Sequence, residues 1–204
     1  MIRTQNLDIS RTDPDPIRQF QKWYRAAGRA GVPEPEAMSI ATATPGGKPS
    51  SRMVLLRGSS ERGFVFYTNY DSRKGRELAS NGHAALLFWW PELRRQVRIA
   101  GRVKKVSAEE SDRYFEQRPK EHRVSACASP QSAVIADRGE LERWAHAIQN
   151  MHPDQGPPRP KHWGGYRVEP REIEFWQQGA HRLHDRIRYR KKKDGTWIRE
   201  RLAP

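Results

Sequence analysis

A mainly β fold, a β-barrel with peripheral helices, is what this sequence predicts. Three observations lead there. Short apolar-rich runs recur at close spacing, separated by turn signals such as Pro45-Gly46-Gly47-Lys48. Helical periodicity is confined to a few segments before and between these runs. With 204 residues and no long low-complexity stretch, the chain has the size of one domain with a sizeable core. The expected organisation is a flexible N-terminal segment, residues 1–14, followed by a single domain over residues 15–204.

The elements follow in order. Asp15 is suited to cap a helix whose first position is Pro16, and Ile17, Phe20, Trp23, Tyr24 and Ala27 recur at helical spacing until Gly31. Residues 38–44 read as a strand, residues 51–57 as its return and residues 63–69 as another. A short helix over 72–80 precedes strands at 84–90 and 96–106, the first apolar enough to be expected buried on both faces. Ser107 and Glu110 form a capping box for a helix to about Gln117, and residues 137–151 form a second amphipathic helix. After a proline-rich loop at 153–160 the pattern is β again, at 165–168, 172–177, 185–190 and 196–202, with Lys191, Lys192 and Lys193 at an exposed hairpin tip.

Composition narrows the classes. Lys and Arg number 38 against 24 Asp and Glu, a net charge of +14, which points to polyanionic partners, either nucleic acid or small phosphates. Cys127 is the single cysteine, which fits a reducing cytoplasm. Residues 1–10 are polar without an apolar h-region, so no signal peptide is expected, and residues 84–90 fall far short of the roughly 20 apolar residues of a membrane helix. There is no P-loop, no G-x-S-x-G, no G-x-G-x-x-G and no H-E-x-x-H. The seven histidines lack metal spacing, so no metal is expected.

Several clusters suit a phosphorylated aromatic ligand. Arg52 and Arg57 bracket an apolar strand; strict alternation puts them on opposite faces, and alone they read as surface arginines flanking a core strand. Ser72, Arg73 and Lys74 open a short helix, where free N–H groups favour an anion, or where Ser72 is only the cap. Gln96, Gln131 and Ser132 offer mixed donors and acceptors. Residues 174–186 concentrate Trp176, His181, Arg182, His184 and Arg186, with Arg182, His184 and Arg186 on one face of an extended chain. Three such groups in a row call for an anion among them.

At this point the sequence resembles the pyridoxamine 5'-phosphate oxidase family. The run E-F-W-Q-Q-G-A-H-R-L-H-D-R at 174–186 is similar to that family's C-terminal signature, and the terminal R-L-A-P is typical of it. R-M-V-L-L-R at 52–57, F-Y-T-N at 66–69, S-R-K at 72–74, R-Q-V at 95–97, Y-F-E-Q-R-P at 114–119 and S-P-Q-S at 129–132 occur in the family's order, so the resemblance runs from about residue 15 to the end. It implies an FMN-binding split barrel and a homodimer with FMN at the interface, its C-terminal segment at about 163–204 serving dimerisation and substrate. FMN would be held by Arg52, Met53, Val54, Leu55, Leu56, Arg57, Tyr67, Thr68, Ser72, Arg73 and Lys74, with Gln96, Gln131, Ser132, Trp176 and Arg186 contributed partly by the second subunit.

Arg57, Tyr114, Arg118, Arg182 and His184 match positions that bind the phosphorylated B6 substrate, with His122 at a further such position. Arg182 and His184 are the expected catalytic pair, lying over the pyridine ring and orienting its C4' carbon toward the flavin. The implied reaction turns pyridoxamine or pyridoxine 5'-phosphate into pyridoxal 5'-phosphate, with O2 as acceptor and peroxide released. Four departures stand out: Arg57 replaces lysine, His122 serine and Cys127 tryptophan, and the N-terminus lacks the family's basic-aromatic segment. Other readings remain open: a flavin oxidase for another substrate such as a phenazine precursor, a flavin-binding protein that has lost catalysis, and a basic nucleic-acid-binding protein. Against the last, the aromatics fall mainly within apolar strand and helix patterns, and neither nucleic acid nor membrane is expected as a partner.

Overall fold

The computed structural model describes residues 7–204. Helix α1 (Pro16–Arg29) starts where the sequence places it, because the Asp15 carboxylate accepts from the Ile17 amide at 2.8 Å. Its buried face carries Ile17, Phe20, Trp23 and Ala27. Phe20 meets Phe64 edge-on at 4.9 Å and Phe88 at 5.1 Å, and Trp23 meets Phe175 at 5.1 Å. The helix therefore packs its apolar stripe onto the inward residues of three different strands.

Nine antiparallel strands form one sheet: β1 (Ala37–Ala43), β2 (Pro49–Leu55), β3 (Gly58–Ser60), β4 (Gly63–Asn69), β5 (His83–Trp90), β6 (Arg95–Lys105), β7 (Trp163–Gln177), β8 (Asp185–Lys191) and β9 (Trp197–Arg201). The order is β2-β1-β5-β6-β7-β4-β3, with β8 and then β9 added on β7. β7 is the hub. Its first half pairs with β4, its second half with β8, and β6 runs along its other edge. Where the sheet forks, Ala100 faces Glu172 and Gly101 faces Pro170, so Arg171 is an extra bulged residue. A Cβ on Gly101 would lie 2.1 Å from the Glu169 carbonyl oxygen, so only glycine allows this approach. The curled sheet meets itself where the Arg57 amide donates to the Val65 carbonyl at 2.7 Å, and the rest of the seam between β2 and β4 has no ladder.

Four short helices lie outside the barrel wall: α2 (Arg73–Asn81), α3 (Ala108–Glu116), α4 (Lys120–Ala128) and α5 (Arg138–Met151). Ser72, Ser107 and Asp137 cap α2, α3 and α5 with their side chains; Pro119 leaves α4 without a side-chain cap. Residues 7–12 lie along β8 and β9: the Leu7 amide donates to Asp185 at 3.0 Å, and Arg199 donates to the carbonyls of Ile9 and Thr12, both at 2.9 Å. Residues 1–6 of the expected N-terminal segment lie outside the described residues.

The structure differs from expectation at four places. β5 is not buried on both faces: Ala84, Leu86, Phe88 and Trp90 point inward, while Leu87 and Trp89 are 38% and 49% exposed. The expected strands at 165–168 and 172–177 are one, because Pro170 falls at the bulge, where its missing N–H breaks no ladder. The residues 182–186 do not form one extended face, since His181 and Arg182 adopt left-handed conformations with φ of 52° and 64°. α4 and the three-residue β3 were not foreseen; α4 buries only Val124 and Ala128 and so carries little periodicity.

Candidate active site

The sheet, α2, α3 and α4 enclose a cleft of about 870 Å³. β2 and the turn after it line it with Arg52, Met53, Val54, Leu55 and Arg57; β4 adds Tyr67 and Thr68, and α2 adds Lys74. Tyr114, Arg118 and His122 close it from α3 and α4, and Gln131 from the following loop. Arg52 and Arg57 therefore reach one cleft rather than opposite faces, because β2 ends at Leu55 and the chain turns before Arg57. Leu56 turns the other way, into the core.

Among the described residues that line this cleft there is no carboxylate. Glu36 lies 4.0 Å from Arg57, and Glu77 3.4 Å from Arg52. Lys74 is only 7% exposed, and its ammonium donates to the Ser72 hydroxyl at 3.0 Å and the Gln131 side-chain oxygen at 2.7 Å. No carboxylate among the described residues pairs with it. Burial, with the charge of Arg52 adding to it, brings its pKa down to about 8. A buried cation with neutral partners is costly unless an anion completes it.

The same holds at the other end. The Arg118 guanidinium lies 4.7 Å over the Trp163 ring, and its Nη1 is buried without a hydrogen-bond partner among the described residues. Burial lowers its pKa, and the nearby charge of Arg57 acts in the same direction. Tyr67 stacks on Tyr114 at 3.8 Å, and burial pushes its hydroxyl up to about 12, so it stays neutral. The cleft thus has two cationic poles, Arg52 with Lys74 and Arg57 with Arg118.

Glu77 locks the first pole behind the cleft. It accepts from Thr42, from Ser50 at 2.6 Å and from Arg73 Nε at 3.0 Å. Burial alone would raise its pKa, but these hydrogen bonds outweigh it and hold the carboxyl down at about 2. The Arg73 side chain is thereby turned to Glu77, while its amide donates to Ser132 Oγ at 3.2 Å. Ser72 is fully buried as the α2 cap.

The remaining expected residues lie elsewhere. Gln96, Trp176 and Arg186 are register partners across β6, β7 and β8. The Trp176 ring lies 4.7 Å from the His184 ring and 6.1 Å from Trp89. Arg186 holds Glu174 with Nε at 2.8 Å and Nη2 at 3.1 Å, which raises its pKa and supplies the counter-charge that the sequence pattern lacked. His184 Nδ1 accepts from the Gly179 amide at 3.3 Å, and Arg182 sits in the turn before it. None of these residues lines the cleft: Trp163 at the start of β7 does, but Trp176 stands thirteen residues further along the same strand. Sequence reasoning missed Trp163, Asn69, Gln117, Ser125 and Ser129 in the cleft lining. Trp163 falls between the proline-rich loop and the strand expected at 165–168, and nothing in its neighbours signals the cation above it.

Comparison with known proteins bears on what this arrangement is. A family model described as pyridoxamine 5'-phosphate oxidase matches residues 25–152, and one described as the pyridoxine 5'-phosphate oxidase C-terminal dimerisation region matches residues 163–204. The chain is 55% identical over 207 residues to the pyridoxine/pyridoxamine 5'-phosphate oxidase of Herminiimonas arsenicoxydans, covering 100% of this chain and 98% of that one. It is 54% identical over 200 residues to the enzyme of the same name from Nostoc sp. (strain PCC 7120), covering 98% and 94%. Among solved structures, PhzG from Burkholderia lata 383 in complex with tetrahydrophenazine-1-carboxylic acid superposes with a TM-score of 0.92 at 34% identity, covering 98% of this chain and 99% of that one. A pyridoxamine 5'-phosphate oxidase-related, FMN binding protein from Nostoc punctiforme superposes with a TM-score of 0.75 at 19% identity, covering 95% and 100%, and shares the fold. With both family models matched in order and relatives above half identity over the full length, the chain belongs to the pyridoxamine 5'-phosphate oxidase family, oxidoreductases built on the split barrel.

Proposed function

We propose that this protein oxidises pyridoxamine 5'-phosphate and pyridoxine 5'-phosphate to pyridoxal 5'-phosphate, with FMN as cofactor and O2 as acceptor. The observation that carries the reading is the acid-free cleft with a cationic pole at each end, one for the phosphate of the cofactor and one for that of the substrate. Lys74, Arg52 and the α2 N-terminus with Ser132 fit a flavin phosphate, since Lys74 lacks an anionic partner among the described residues. Arg118, Arg57, Tyr114 and His122 fit the substrate phosphate, which Arg118 Nη1 would satisfy. FMN, when bound, supplies the two-electron acceptor; the chain supplies grip, orientation and exclusion of water.

The reading extends to a homodimer. Gln96, Trp176, Arg182, His184 and Arg186 do not line the cleft of their own chain, and Met53 at the cleft with Leu87 and Trp89 on β5 leave apolar side chains exposed. A second copy placed there would cover these apolar side chains and bring its C-terminal cluster to the cleft. The matched C-terminal dimerisation region supports this. Arg182 and His184 would then lie over the pyridine ring and hold it by charge and hydrogen bonding.

A second reading, a flavin oxidase acting on a phenazine precursor, is favoured by the similarity to PhzG. The two cationic poles weigh against it, because a substrate without phosphate leaves the Arg57–Arg118 pole unmatched. One experiment separates them. Loaded with FMN and mixed without oxygen with pyridoxine or pyridoxamine 5'-phosphate, the protein is expected to lose its yellow absorption and regain it in air, with pyridoxal 5'-phosphate formed. A yellow protein that both compounds leave unbleached moves the substrate elsewhere, and a protein that never binds FMN overturns the reading.

A further inference from the structure

The cationic pole formed by Arg57 and Arg118 contains one side chain whose charge ordinarily changes between pH 5 and 8, His122. It is exposed in the first turn of α4, four residues beyond Arg118, and lines the cleft. Its company there is Arg52, Arg57, Lys74 and Arg118, with the phenols Tyr67 and Tyr114. On α4 itself, Lys120 and Arg123 are turned to the carbonyls of Pro153 and Gln155, and Glu121 is exposed. α5 packs on α4 and carries Glu140, Glu142, Arg143 and His146; neither these nor Asp154 lines the cleft.

An imidazolium in that setting meets like charges and the positive end of an uncapped helix. A phosphate dianion placed among Arg57, Arg118 and His122 offsets that repulsion and favours the charged imidazole. We propose that His122 becomes an imidazolium on binding the substrate's phosphate, so that capture takes up a proton from solvent and the cleft holds phosphate esters more tightly as pH falls toward 6. The proton moves from solvent to the free imidazole nitrogen, and no other bond changes. The inference rests on the substrate reading given above and adds to it a linkage between affinity and pH.

The test uses the FMN-loaded protein and 4-deoxypyridoxine 5'-phosphate, which keeps the phosphate but has no oxidisable group at C4'. Binding heats measured at pH 7 in phosphate-free buffers of different ionisation enthalpy give the protons taken up per site. The wild type is expected to take up a substantial fraction of a proton more than His122→Ser, with the difference fading at pH 5 and pH 9. Affinity should differ between the two by about tenfold at pH 6 and little at pH 9. His122→Arg, charged throughout, should bind as tightly at pH 9 as at pH 6 once the ligand's own titration is subtracted. Equal proton uptake by wild type and His122→Ser overturns the proposal and leaves the substrate reading intact. Failure of the analogue to bind the wild type overturns both.

Discussion

Lys74 and Glu77 sit one helical turn apart on α2 and both pKa values fall, but for different reasons: burial disfavours the Lys74 ammonium, whereas hydrogen bonds outweigh burial and favour the Glu77 carboxylate. Among the described residues Lys74 has only neutral partners, and in the free protein it loses its charge at about pH 8. An anion holds only the ammonium, so flavin affinity measured by fluorescence quenching is expected to fall about tenfold per pH unit above 8. Lys74→Met should lower that affinity on the order of ten- to a hundredfold and remove this pH dependence. An unchanged profile would place the flavin phosphate elsewhere. Glu77 is the reverse case: its folded pKa of about 2 lies below the ordinary 4.5, so its contribution is complete above pH 4.5 and is lost as pH falls toward 2. That contribution is on the order of 3 kcal/mol. Glu77→Gln should therefore be markedly less stable to urea at neutral pH and approach the wild type near pH 2. The identities of these residues were legible in the S-R-K run, but their states were not, because Lys74's neutral partner Gln131 is 57 residues away. Arg52 and Arg57 show the same limit: alternation assigns faces only while a strand lasts, and β2 stops two residues before Arg57.

At the scale of elements, the helices with a clear cap and a broad apolar stripe were readable; α4 was not, since its side chains serve the cleft and the 153–158 loop rather than the core. Apart from β3 and the continuity of β7, the strands were readable individually, but their pairing was not, because β4 and β7 lie nearly 100 residues apart in the chain. What fixes the pairing is the bulge at Gly101 and Arg171, which lets one long strand serve two partners. Gly101→Ala puts a methyl 2.1 Å from a carbonyl oxygen on that strand, and the backbone must shift to admit it. A loss of about 2 kcal/mol or more in denaturant stability is expected, with weakened amide protection in residues 169–177. Wild-type stability in this variant would mean that the fork tolerates a wider spacing.

For the whole molecule, the outer face of β2-β1-β5 decides whether one chain suffices. It exposes Met53 at 63%, Trp89 at 49% and Leu87 at 38%. Leu87→Glu leaves the core side of β5 untouched and places a charge on that face, opposite Ser39 of β1. If the proposed dimer forms through this face, sedimentation should then report a folded monomer with flavin affinity strongly reduced, because the partner would supply part of each site. A yellow dimer would send the interface to another surface. The sequence reading took this face as core because a run of consecutive apolar residues does not distinguish a strand buried on both faces from one with an exposed apolar face.

The central place of β7 also has a consequence for how the protein is made. β4 is synthesised about 100 residues before the strand that pairs with it, and β6 likewise waits for its second neighbour. Until residue 177 has left the ribosome, the earlier strands carry unpaired edges and the Phe64, Phe88 and Phe175 cluster is incomplete. Nascent chains arrested before residue 163 should be cut readily by protease, and those released with the full C-terminal hairpin should resist it. Residues 163–204 therefore set when the fold forms, and a ribosome that slows while making them exposes the chain at its stickiest.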